Sequence, residues 1–554
     1  MPPYSESPAA QPQIKGSEQQ LAIWDAFLNG KTHLVVKAYA GTGKTTTGVE
    51  GLRPVVAQGI TAQFLAFNRS IANHLQTKVP QGAKAQTFHG AGFGACRNEF
   101  GQLEVDADRT YKMLPQNMDR HSKSTIIRLV SICKNVLVDG TNKQEMLDLC
   151  AQYDIDLYES KQGQYDGWQG EGHADEILEA VPKILEASKT PTGTIDFDDM
   201  VWLPVIWNLP IRKFDFLVVD ESQDLNRAQQ ELALMIGKRI IMVGDEHQAI
   251  YAFRGADSKS MQNMEERLAA TPRGVITLPL TVSYRCPRLV TAVAREIVKD
   301  FECLPMAPMG KVCYGEYYLE IDPDSPALNG PDSHHGYKYK RKPYPMETDD
   351  DLNQHPGYCP DTAPQRGDMV LCRTNAPLVQ LAYQMIRRNI PCKIQGRDFG
   401  KNLVDRVKTL VKENASTVEL LQALVVWESK ERAKIEAAGE GHPGRLATQL
   451  GNLQEKVDCI EALCEGLDNA LQVVQRIQLL FQDVDKEKSD PSNYVLLSSV
   501  HRAKGLEAHT VRIIKPELMP HPMASTPDAK EQEMNLKYVA ITRSLDTLHI
   551  HDCE

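Results

Sequence analysis

The chain has 554 residues, 42% hydrophobic and 24% charged, which is typical of a soluble globular protein and long enough for roughly three or four domains. It contains no run of eighteen apolar residues, and its N-terminus lacks a basic-then-apolar signal pattern. We therefore expect a cytoplasmic or nucleoid-associated protein, or one in the host cytoplasm if the source is viral, without a membrane partner.

The net charge and the cysteines exclude few classes of function. The 62 basic and 73 acidic residues give a net charge of −11, which by itself argues against a polyanionic partner. A narrow basic track on an acidic body would still be sufficient, because only the local potential matters. The twelve cysteines show no CxxC pair and no zinc-like spacing, so we expect reduced thiols.

The first strong pattern is the segment HLVVKAYAGTGKTT at residues 33–46. Residues 1–15 before it are rich in Pro, Gln and Ser and are predicted to be disordered, and a helix is predicted from an N-cap at Ser17 to Gly30. The segment itself reads as a buried strand, a turn of small residues and the start of a helix. This is the pattern of a phosphate-binding loop, with Ala38 where GxxxxGK[ST] has its first glycine.

Such a loop offers three kinds of group to a nucleotide. Its backbone N–H groups and the positive end of the next helix attract phosphate, and the lysine adds a full charge. The threonine hydroxyl is a ligand for Mg²⁺. The predicted nucleotide-binding residues are Ala40, Gly41, Thr42, Gly43, Lys44, Thr45 and Thr46. The alternative is an ordinary glycine-rich loop with a chance lysine.

Strands alternating with helices predict an α/β fold with parallel sheets. A strand is predicted at 62–68, and residues 83–94 are predicted to form another strand followed by a glycine-rich break. The sheet resumes at 214–224 and 239–257. A first domain is thus expected over 16–95 and 191–272, with a helical insertion at 96–190. A second is expected over 273–401 and 486–554, with an irregular insertion at 304–366 and a helical one at 402–485.

Asp220 and Glu221 are adjacent carboxylates at the end of the apolar strand FLVV. After a phosphate-binding loop, this pair suggests Asp220 for the magnesium ion and Glu221 as the base that activates water. Alone, such a pair often only caps the next helix.

Six blocks of the chain occur in the order found in superfamily 1 DNA helicases of the UvrD/Rep type, which the chain resembles. They are AGTGKT, VVDESQD, VGDEHQAIYAFRGAD, SYR, HRAKGLE and YVAITR, supported by TFH at 87–89 and DFDD at 196–199. FLAFNRSIA at 64–72 looks more like the F-box DNA helicase branch. The resemblance implies two RecA-like P-loop NTPase domains, each carrying a mostly helical insertion.

The resemblance also implies roles for residues around ATP. Gln19 is similar to the glutamine that recognises adenine, Tyr284 to the aromatic residue that stacks on it, and Glu507 to the ribose contact. Gln248 resembles the γ-phosphate sensor. Arg285 and Arg543 resemble the two arginines that the second domain contributes across the cleft to stabilise the transferring phosphoryl group.

For DNA, the resemblance implies base stacking by Tyr251 and Phe253, and backbone or sugar contacts by Asn68, His89 and His501. Core packing is the alternative for the two aromatic residues, and structural hydrogen bonding for the two histidines. Three departures from the family pattern are Thr46 in place of an arginine, Ser283 in place of an asparagine, and the absence of arginine from residues 531–536.

The resemblance therefore implies an ATP- and Mg²⁺-dependent helicase that moves 3′ to 5′ on single-stranded DNA and opens tailed duplexes. Proteins of DNA repair, replication or recombination are the expected partners. A translocase that strips proteins with little unwinding is one alternative, because residues 402–485 are fewer than the family's usual insertion. A nucleotide-switched module of a larger recombination or defence complex is another.

Overall fold

The computed structural model describes residues 15–153, 155, 157, 170–251, 259–315, 317–321, 339–348, 354–357, 363–388, 390–438, 443–481, 490–522, 524 and 527–551. The chain divides into two compact units, Met1–Thr281 and Val282–Glu554. We call them the first and the second unit. The boundary lies nine residues after the one predicted from sequence, and the predicted disorder of residues 1–14 lies outside the described residues.

The first unit is built on a six-stranded sheet in the order β3-β2-β6-β7-β1-β8, and every described pairing in it is parallel. Its strands are β1 His33–Ala38, β2 Ala62–Ala66, β3 Ala83–Thr87, β6 Phe216–Val219, β7 Ile240–Gly244 and β8 Val275–Leu280, while β4 Glu104–Val105 and β5 Thr194–Ile195 form a separate pair. Its helices are α1 Glu18–Asn29, α2 Lys44–Ala57, α3 Arg69–Gln76, α4 Phe88–Phe100, α5 Arg109–Lys112, α6 Arg120–Val136, α7 Lys143–Gln152, α8 Gly170–Ser188, α9 Asp199–Ile206, α10 Arg227–Ile236 and α11 Ser260–Ala269.

Strand β8 explains why the predicted boundary was wrong. Its residues pair in parallel with β1, from His33 with Val275 to Ala38 with Leu280, so it completes the first sheet. A strand's sheet membership depends on which partner it pairs with, and the sequence of β8 does not reveal this. The predicted second unit therefore began one strand too early.

Two helix ends in the first unit were predicted correctly. The Ser17 hydroxyl accepts a hydrogen bond from the Gln20 backbone, and the Gln20 side chain accepts one from the Ser17 N–H, which forms a capping box. Helix α1 ends with Gly30 as its C-cap.

The predicted glycine-rich break after β3 is instead helical. Thr87 caps α4 by accepting a hydrogen bond from the Gly90 backbone, so the helix starts immediately after the strand. Helix α4 packs on α9, and a Cβ atom at Gly92 would overlap the Met200 carbonyl oxygen. Gly92 therefore permits the close packing of α4 on α9, which outweighs its low helix propensity.

The insertion of the first unit is helical and carries a buried ion cluster. Lys134 on α6 is 1% exposed, and its Nζ lies 2.7 Å from Asp196 and 2.8 Å from Asp199. Arg109 donates a second charged hydrogen bond to Asp199. The cluster joins the insertion to the start of α9, with each charge paired.

The second unit contains a nine-stranded sheet in the order β14-β13-β12-β11-β19-β18-β15-β17-β16. The strands of the unit are β9 Val282–Ser283, β10 Glu302–Cys303, β11 Lys311–Cys313, β12 Tyr317–Ile321, β13 Tyr339–Thr348, β14 Gln354–Gly357, β15 Met369–Cys372, β16 Cys392–Ile394, β17 Val495–Ser499, β18 Ala508–Ile513 and β19 Ser544–Ile550, of which β9 and β10 pair separately. Its helices are α12 Arg288–Ala294, α13 Ala376–Arg387, α14 Arg397–Leu410, α15 Thr417–Ala438, α16 Pro443–Cys464, α17 Ala470–Leu480, α18 Val500–Ala503 and α19 Pro527–Ile541.

The segment predicted as irregular, residues 304–366, contributes four strands to this sheet, β11 to β14. From β11 to β16 the described pairings are parallel, whereas β12, β13 and β14 extend the sheet beyond β11 in antiparallel pairings. The prolines in β13 and β14 hid the strand pattern there.

The helices α14–α17 share one core with the second sheet. Leu378 and Val379 of α13 belong to the same buried cluster as Leu453 of α16 and Val473 of α17. The amide and backbone N–H of Asn375 both donate to Glu455 of α16. Contacts of this kind fix the insertion to the second unit.

Within the described residues, no helix combines the length and apolarity needed to cross a membrane. The cysteines in the described part of the chain form no disulfide, and most of them are buried.

Candidate nucleotide and nucleic-acid sites

The loop between β1 and α2 has the backbone needed to surround a phosphate. Gly41 and Gly43 have φ angles of 71° and 78°, a left-handed conformation that glycine adopts without a Cβ clash. Helix α2 begins at Lys44, and its N-cap Gly43 supplies no side-chain hydrogen bond. Thr42 is fully buried and its hydroxyl donates to the Tyr39 carbonyl, which fixes the turn. Ala40 is also fully buried, whereas Thr46 is exposed.

The amino group of Lys44 is held within this loop. It donates to the carbonyl oxygens of Ala38 at 3.3 Å and Tyr39 at 2.9 Å, and lies 3.9 Å from Oδ2 of Asp245. Its side chain is 10% exposed, so the charge is screened weakly by solvent. The lysine is thus placed beside the phosphate-binding turn, as the sequence predicts.

Thr45 and Asp220 form the candidate Mg²⁺ site. The Thr45 hydroxyl donates to Oδ2 of Asp220 at 2.8 Å. Burial, together with the charge of Glu221, raises the pKa of Asp220 to about 6. A buried carboxylate whose charge is poorly compensated fits a cation, and Mg²⁺ usually takes one or two protein carboxylates plus substrate phosphates and water.

Glu221 occupies a left-handed backbone conformation with a φ of 51°. This conformation is uncommon for a residue other than glycine and costs roughly 1–3 kcal/mol. The Gln223 amide donates to its carboxylate at 2.6 Å. The two adjacent carboxylates therefore have different partners, Thr45 for Asp220 and Gln223 for Glu221, which suits two different tasks.

Gln223 also connects Glu221 to the predicted phosphate sensor. Its carbonyl oxygen accepts from the Asp245 backbone at 3.0 Å, and Oδ2 of Asp245 accepts from the Gln248 amide at 2.7 Å. A Cβ at Gly244 would approach the Gln223 side chain to 2.7 Å, so the glycine leaves room for this link. Gln223 is not among the site residues predicted from the sequence, although it lies within DESQD.

Gln19 is held by hydrogen bonds in the described structure. Its amide donates to the Thr281 hydroxyl and accepts from the Thr281 backbone, both at 2.9 Å. The neighbouring Gln20 is buried and donates to Thr47 on α2 at 3.0 Å. Thr281 directly follows β8, so the end of the first sheet orients the Gln19 amide. Adenine recognition by Gln19 stays a prediction.

Four predicted nucleotide residues lie in the second unit. Arg285 forms an ion pair with Glu507 at 2.8 Å, and Tyr284 beside it is 45% exposed. The Ser283 hydroxyl accepts from the backbone N–H groups of Arg285 and Cys286. The serine that departs from the family pattern therefore shapes the turn that carries Arg285.

Arg543 lies deeper in the same unit and is 1% exposed. Its guanidinium donates to the carbonyl oxygens of Val539 at 2.9 Å and Leu506 at 3.3 Å, and to the Thr542 hydroxyl at 3.2 Å. Because Leu506 precedes Glu507, the structure brings Arg543 near the pair of Arg285 and Glu507.

Residues 531–536 contain no arginine, but an arginine from another segment of the second unit pairs with this run. Glu533 accepts from both Nε and Nη2 of Arg373, at distances between 2.8 and 3.0 Å. Arg373 follows β15, so the charge partner of this run comes from a different part of the second unit.

Two pairs of aromatic rings include residues that follow the C-terminal ends of β2, β3 and β7. Tyr251 stacks on Phe67 with a centroid distance of 6.2 Å and an interplanar angle of 7°. His89 contacts the ring of Phe197 edge-on at 6.4 Å, and burial lowers the pKa of His89. Phe67 is 39% exposed and Phe197 is 55% exposed, so both rings are accessible to a ligand.

The three other residues predicted to contact DNA lie in different parts of the chain. The Asn68 side chain accepts from the Ile71 backbone and caps α3, so a structural role is already present. His501 lies in α18, within the second unit. Phe253 lies outside the described residues.

Two family models match the chain. The UvrD/REP helicase N-terminal domain matches residues 18–269, and the UvrD-like helicase C-terminal domain matches residues 402–554. The chain belongs to the UvrD-like helicase family. The resemblance predicted from the sequence is confirmed, and so is the fold with parallel α/β domains.

Individual UvrD-like relatives are similar at low identity. The chain is 24% identical to F-box DNA helicase protein 1 of Schizosaccharomyces pombe, over 99% of the chain and 58% of that protein. It is 24% identical to the ATP-dependent DNA helicase PcrA of Bacillus subtilis, over 48% of the chain and 37% of the relative. It is 26% identical to the ATP-dependent DNA helicase Rep of Escherichia coli, over 44% of the chain and 37% of the relative. The matches thus span between a third and three fifths of these relatives' lengths.

Proposed function

We propose that the chain is an ATP-dependent DNA helicase that couples ATP hydrolysis to movement on single-stranded DNA and to duplex unwinding. The observation that carries the proposal is the hydrogen bond between Thr45 and Asp220, which joins the phosphate-binding loop to the carboxylate pair. The family assignment supports the same activity.

The residues of the first unit have distinct tasks in this proposal. Lys44 and the backbone of the preceding turn bind the phosphates. Thr45 and Asp220 would hold Mg²⁺, which neutralises charge on the phosphates when bound. Glu221 would accept a proton from the attacking water. Gln248, which donates a hydrogen bond to Asp245, would sense the terminal phosphate.

In the second unit, Arg285 and Arg543 remain our candidates for stabilising charge on the transferring phosphoryl group. Tyr284 and Glu507 remain candidates for the base and the ribose. The ion pair of Arg285 with Glu507 supports a common site for the two residues, because it holds their side chains together.

DNA would lie over the exposed aromatic residues of the first unit. Stacking on aromatic rings tolerates any base, as a motor moving along DNA requires. Phe67 joins Tyr251 as a stacking residue, and Phe197 joins His89. Tyr251 lies three residues after Gln248, beyond β7, so this stacking residue is close in sequence to the predicted phosphate sensor.

Unwinding of tailed duplexes tests the proposal and its polarity. We expect ATP-dependent opening of a duplex with a 3′ single-stranded tail and little opening with a 5′ tail. Opening of the 5′-tailed duplex alone would overturn the polarity. ATPase activity without any response to DNA would favour a nucleotide-switched module instead.

A translocase that removes proteins from DNA is a second candidate. The packing of α14–α17 into the core of the second unit favours it, since a fixed insertion has less freedom to rearrange around a duplex. Strong DNA-stimulated ATPase activity and protein displacement, without opening of either tailed duplex, would support this function over unwinding.

A further inference from the structure

All three carboxylates of the DFDD stretch bind helix α6 of the helical insertion, and none of them has a task in the proposed hydrolysis. Asp196 and Asp199 pair with Lys134 at 2.7 and 2.8 Å. Asp198 accepts a longer hydrogen bond of 3.4 Å from the amide of Asn135. The DFDD stretch therefore fixes the C-terminal part of α6 to the start of α9.

Asn135 also reaches the segment that follows the carboxylate pair. Its side-chain oxygen accepts a hydrogen bond of 2.7 Å from the amide of Asn226, which lies 91 positions later in the chain. The contact joins the helical insertion to the chain between β6 and α10. We call this hydrogen bond the asparagine link.

Asn226 is the residue at which the turn with the two carboxylates ends and helix α10 begins. Its side-chain oxygen accepts from the Gln229 backbone, and its own backbone N–H donates to the Gln229 side chain, which forms a capping box. The cap uses the oxygen of the Asn226 side chain, and the link uses the amide nitrogen. One side chain thus holds both the start of α10 and helix α6.

The turn before Asn226 depends on its surroundings for support. Glu221 has a φ angle of 51°, and a residue in this conformation persists only where the neighbouring structure holds it. The Ser222 carbonyl accepts from the Ser260 hydroxyl at 2.9 Å, which holds the turn from the side of α11. Asn226 holds its other end, and Leu225 before it is buried. The asparagine link therefore bears on the backbone that carries Glu221.

Attachment of the insertion to the first sheet is the simpler explanation of the link. The buried ion cluster of Lys134, Asp199 and Arg109 already provides that attachment through charged hydrogen bonds. A neutral hydrogen bond is weaker than these. The link instead ends beside a catalytic turn, where even a small displacement of a reacting group lowers the rate. Its position therefore fits support of the turn better than attachment.

We propose that Asn135 is a positioning residue, which acts through Asn226 to hold Glu221 in the geometry for catalysis. The helical insertion then takes part in setting the rate of ATP hydrolysis. This inference rests on the proposed function, since it takes Glu221 as the base. Hydrogen bonds behind a catalytic side chain keep that side chain in its productive geometry.

The test measures kcat and KM for ATP, with and without single-stranded DNA, in two single variants and in their combination. Asn135→Ala removes the acceptor of the link. Asn226→Ser removes the amide but keeps an oxygen that can cap α10. The matched control is Asn142→Ala, which removes the N-cap of α7 in the same insertion. Urea unfolding of the full chain checks that each variant is folded.

We expect each single variant to lower kcat about 3- to 10-fold, the range that one neutral hydrogen bond can supply, with KM changed less than about 2-fold. The double variant should be no slower than the slower single variant, because both substitutions remove the same contact. In the Glu221→Gln background, Asn135→Ala should leave the residual rate of hydrolysis unchanged, since its effect acts through the base. Asn142→Ala should keep the original kcat.

An unchanged kcat in either single variant would overturn the proposal. Effects that multiply in the double variant, an equal loss in Asn142→Ala, or a further loss in the Glu221→Gln background would also overturn it. If Asn135→Ala folds poorly, the kcat of Asn226→Ser decides alone. Glu221→Gln by itself separates the two proposals. Hydrolysis at the original rate in that variant would reject the base and the proposed function with it, whereas its loss beside a normal kcat in the link variants rejects the positioning role alone.

Discussion

The hydroxyl of Thr45 donates a hydrogen bond of 2.8 Å to Oδ2 of Asp220, which lies 175 residues later in the chain. This contact fixes the distance between the start of α2 and the end of β6. It holds together the two oxygen atoms that we propose as Mg²⁺ ligands, and it links the phosphate-binding loop to the carboxylate pair.

Loss of either oxygen should impair Mg²⁺-dependent hydrolysis. We expect Asp220→Asn and Thr45→Val to lower the rate of ATP hydrolysis at least about 100-fold, because Mg²⁺ prefers hydroxyl and carboxylate oxygen ligands. Thr45→Ser keeps the hydroxyl and should stay within a few-fold of the unaltered chain. Titration of ATPase activity with MgCl₂ measures both effects. Unchanged Mg²⁺ dependence in Asp220→Asn would contradict the assignment.

Removal of the base should separate ATP binding from turnover. Glu221→Gln keeps the shape of the side chain but cannot accept a proton, so we expect hydrolysis to fall about 10²–10⁴-fold while ATP affinity is retained. Lys44→Ala should abolish turnover as well, with loss of phosphate binding. Equilibrium binding of ATP and steady-state ATPase rates distinguish the two variants. Hydrolysis at the original rate by either one would refute its role.

The stacked pair of Phe67 and Tyr251 should contribute to DNA affinity. Substitution of either residue by alanine removes a ring that can stack on a base, which is worth about 1–3 kcal/mol. We expect the Kd for single-stranded DNA to rise roughly 5- to 150-fold. Tyr111→Ala is the control, since Tyr111 is 52% exposed and lies away from this pair in the sequence. A loss of equal size in the control would show that the effect is unspecific.

The buried ion cluster should matter for stability. Lys134→Met leaves Asp196 and Asp199 without their shared cation, and the free energy of unfolding of the first unit should fall by about 3–5 kcal/mol. Lys183→Met, at a side chain that is 75% exposed, should change it by less than about 0.5 kcal/mol. Urea unfolding of the full chain compares the two variants. Equal midpoints for both would mean that the cluster contributes nothing.

His33 should make stability depend on pH. Burial, aided by Arg273 and Arg239, lowers its pKa from 6.5 to about 4, and its Nδ1 accepts from the Ile240 backbone. Because the folded state holds the imidazole neutral, its stabilising effect is complete above pH 6.5 and is lost as the pH falls toward 4. The loss between pH 7 and pH 5 should be about 2 kcal/mol.

The variant His33→Gln keeps a hydrogen-bond acceptor but does not titrate. Its stability should therefore fall less than that of the unaltered chain over the same pH range. Urea unfolding at the two pH values gives the comparison. If both proteins lost the same stability, His33 would not be the titrating group.

Local patterns in the sequence predicted the parts of the fold that depend on neighbouring residues. The capping box at Ser17 and the strand, turn and helix around Lys44 follow from residue types a few positions apart. Contacts between distant segments were not predictable in this way. The link from Gln223 to Asp245 and the stack of Phe67 on Tyr251 depend on strand order, which adjacent residues do not encode.

The errors have the same origin. Gly92 looked like a loop residue because its packing partner, Met200, lies more than a hundred positions away. Strand β8 was assigned to the wrong unit because its pairing with β1 is a tertiary contact. The roles of Arg285 and Arg543 rest on the resemblance and stay predictions.

The rate of ATP hydrolysis with and without single-stranded DNA tests the central claim most directly. We predict a low basal rate that rises at least about 10-fold with DNA, and that stays near zero in both conditions in Lys44→Ala. A rate that is the same with and without DNA, or that survives in Lys44→Ala, would contradict a DNA-driven ATPase built on this loop.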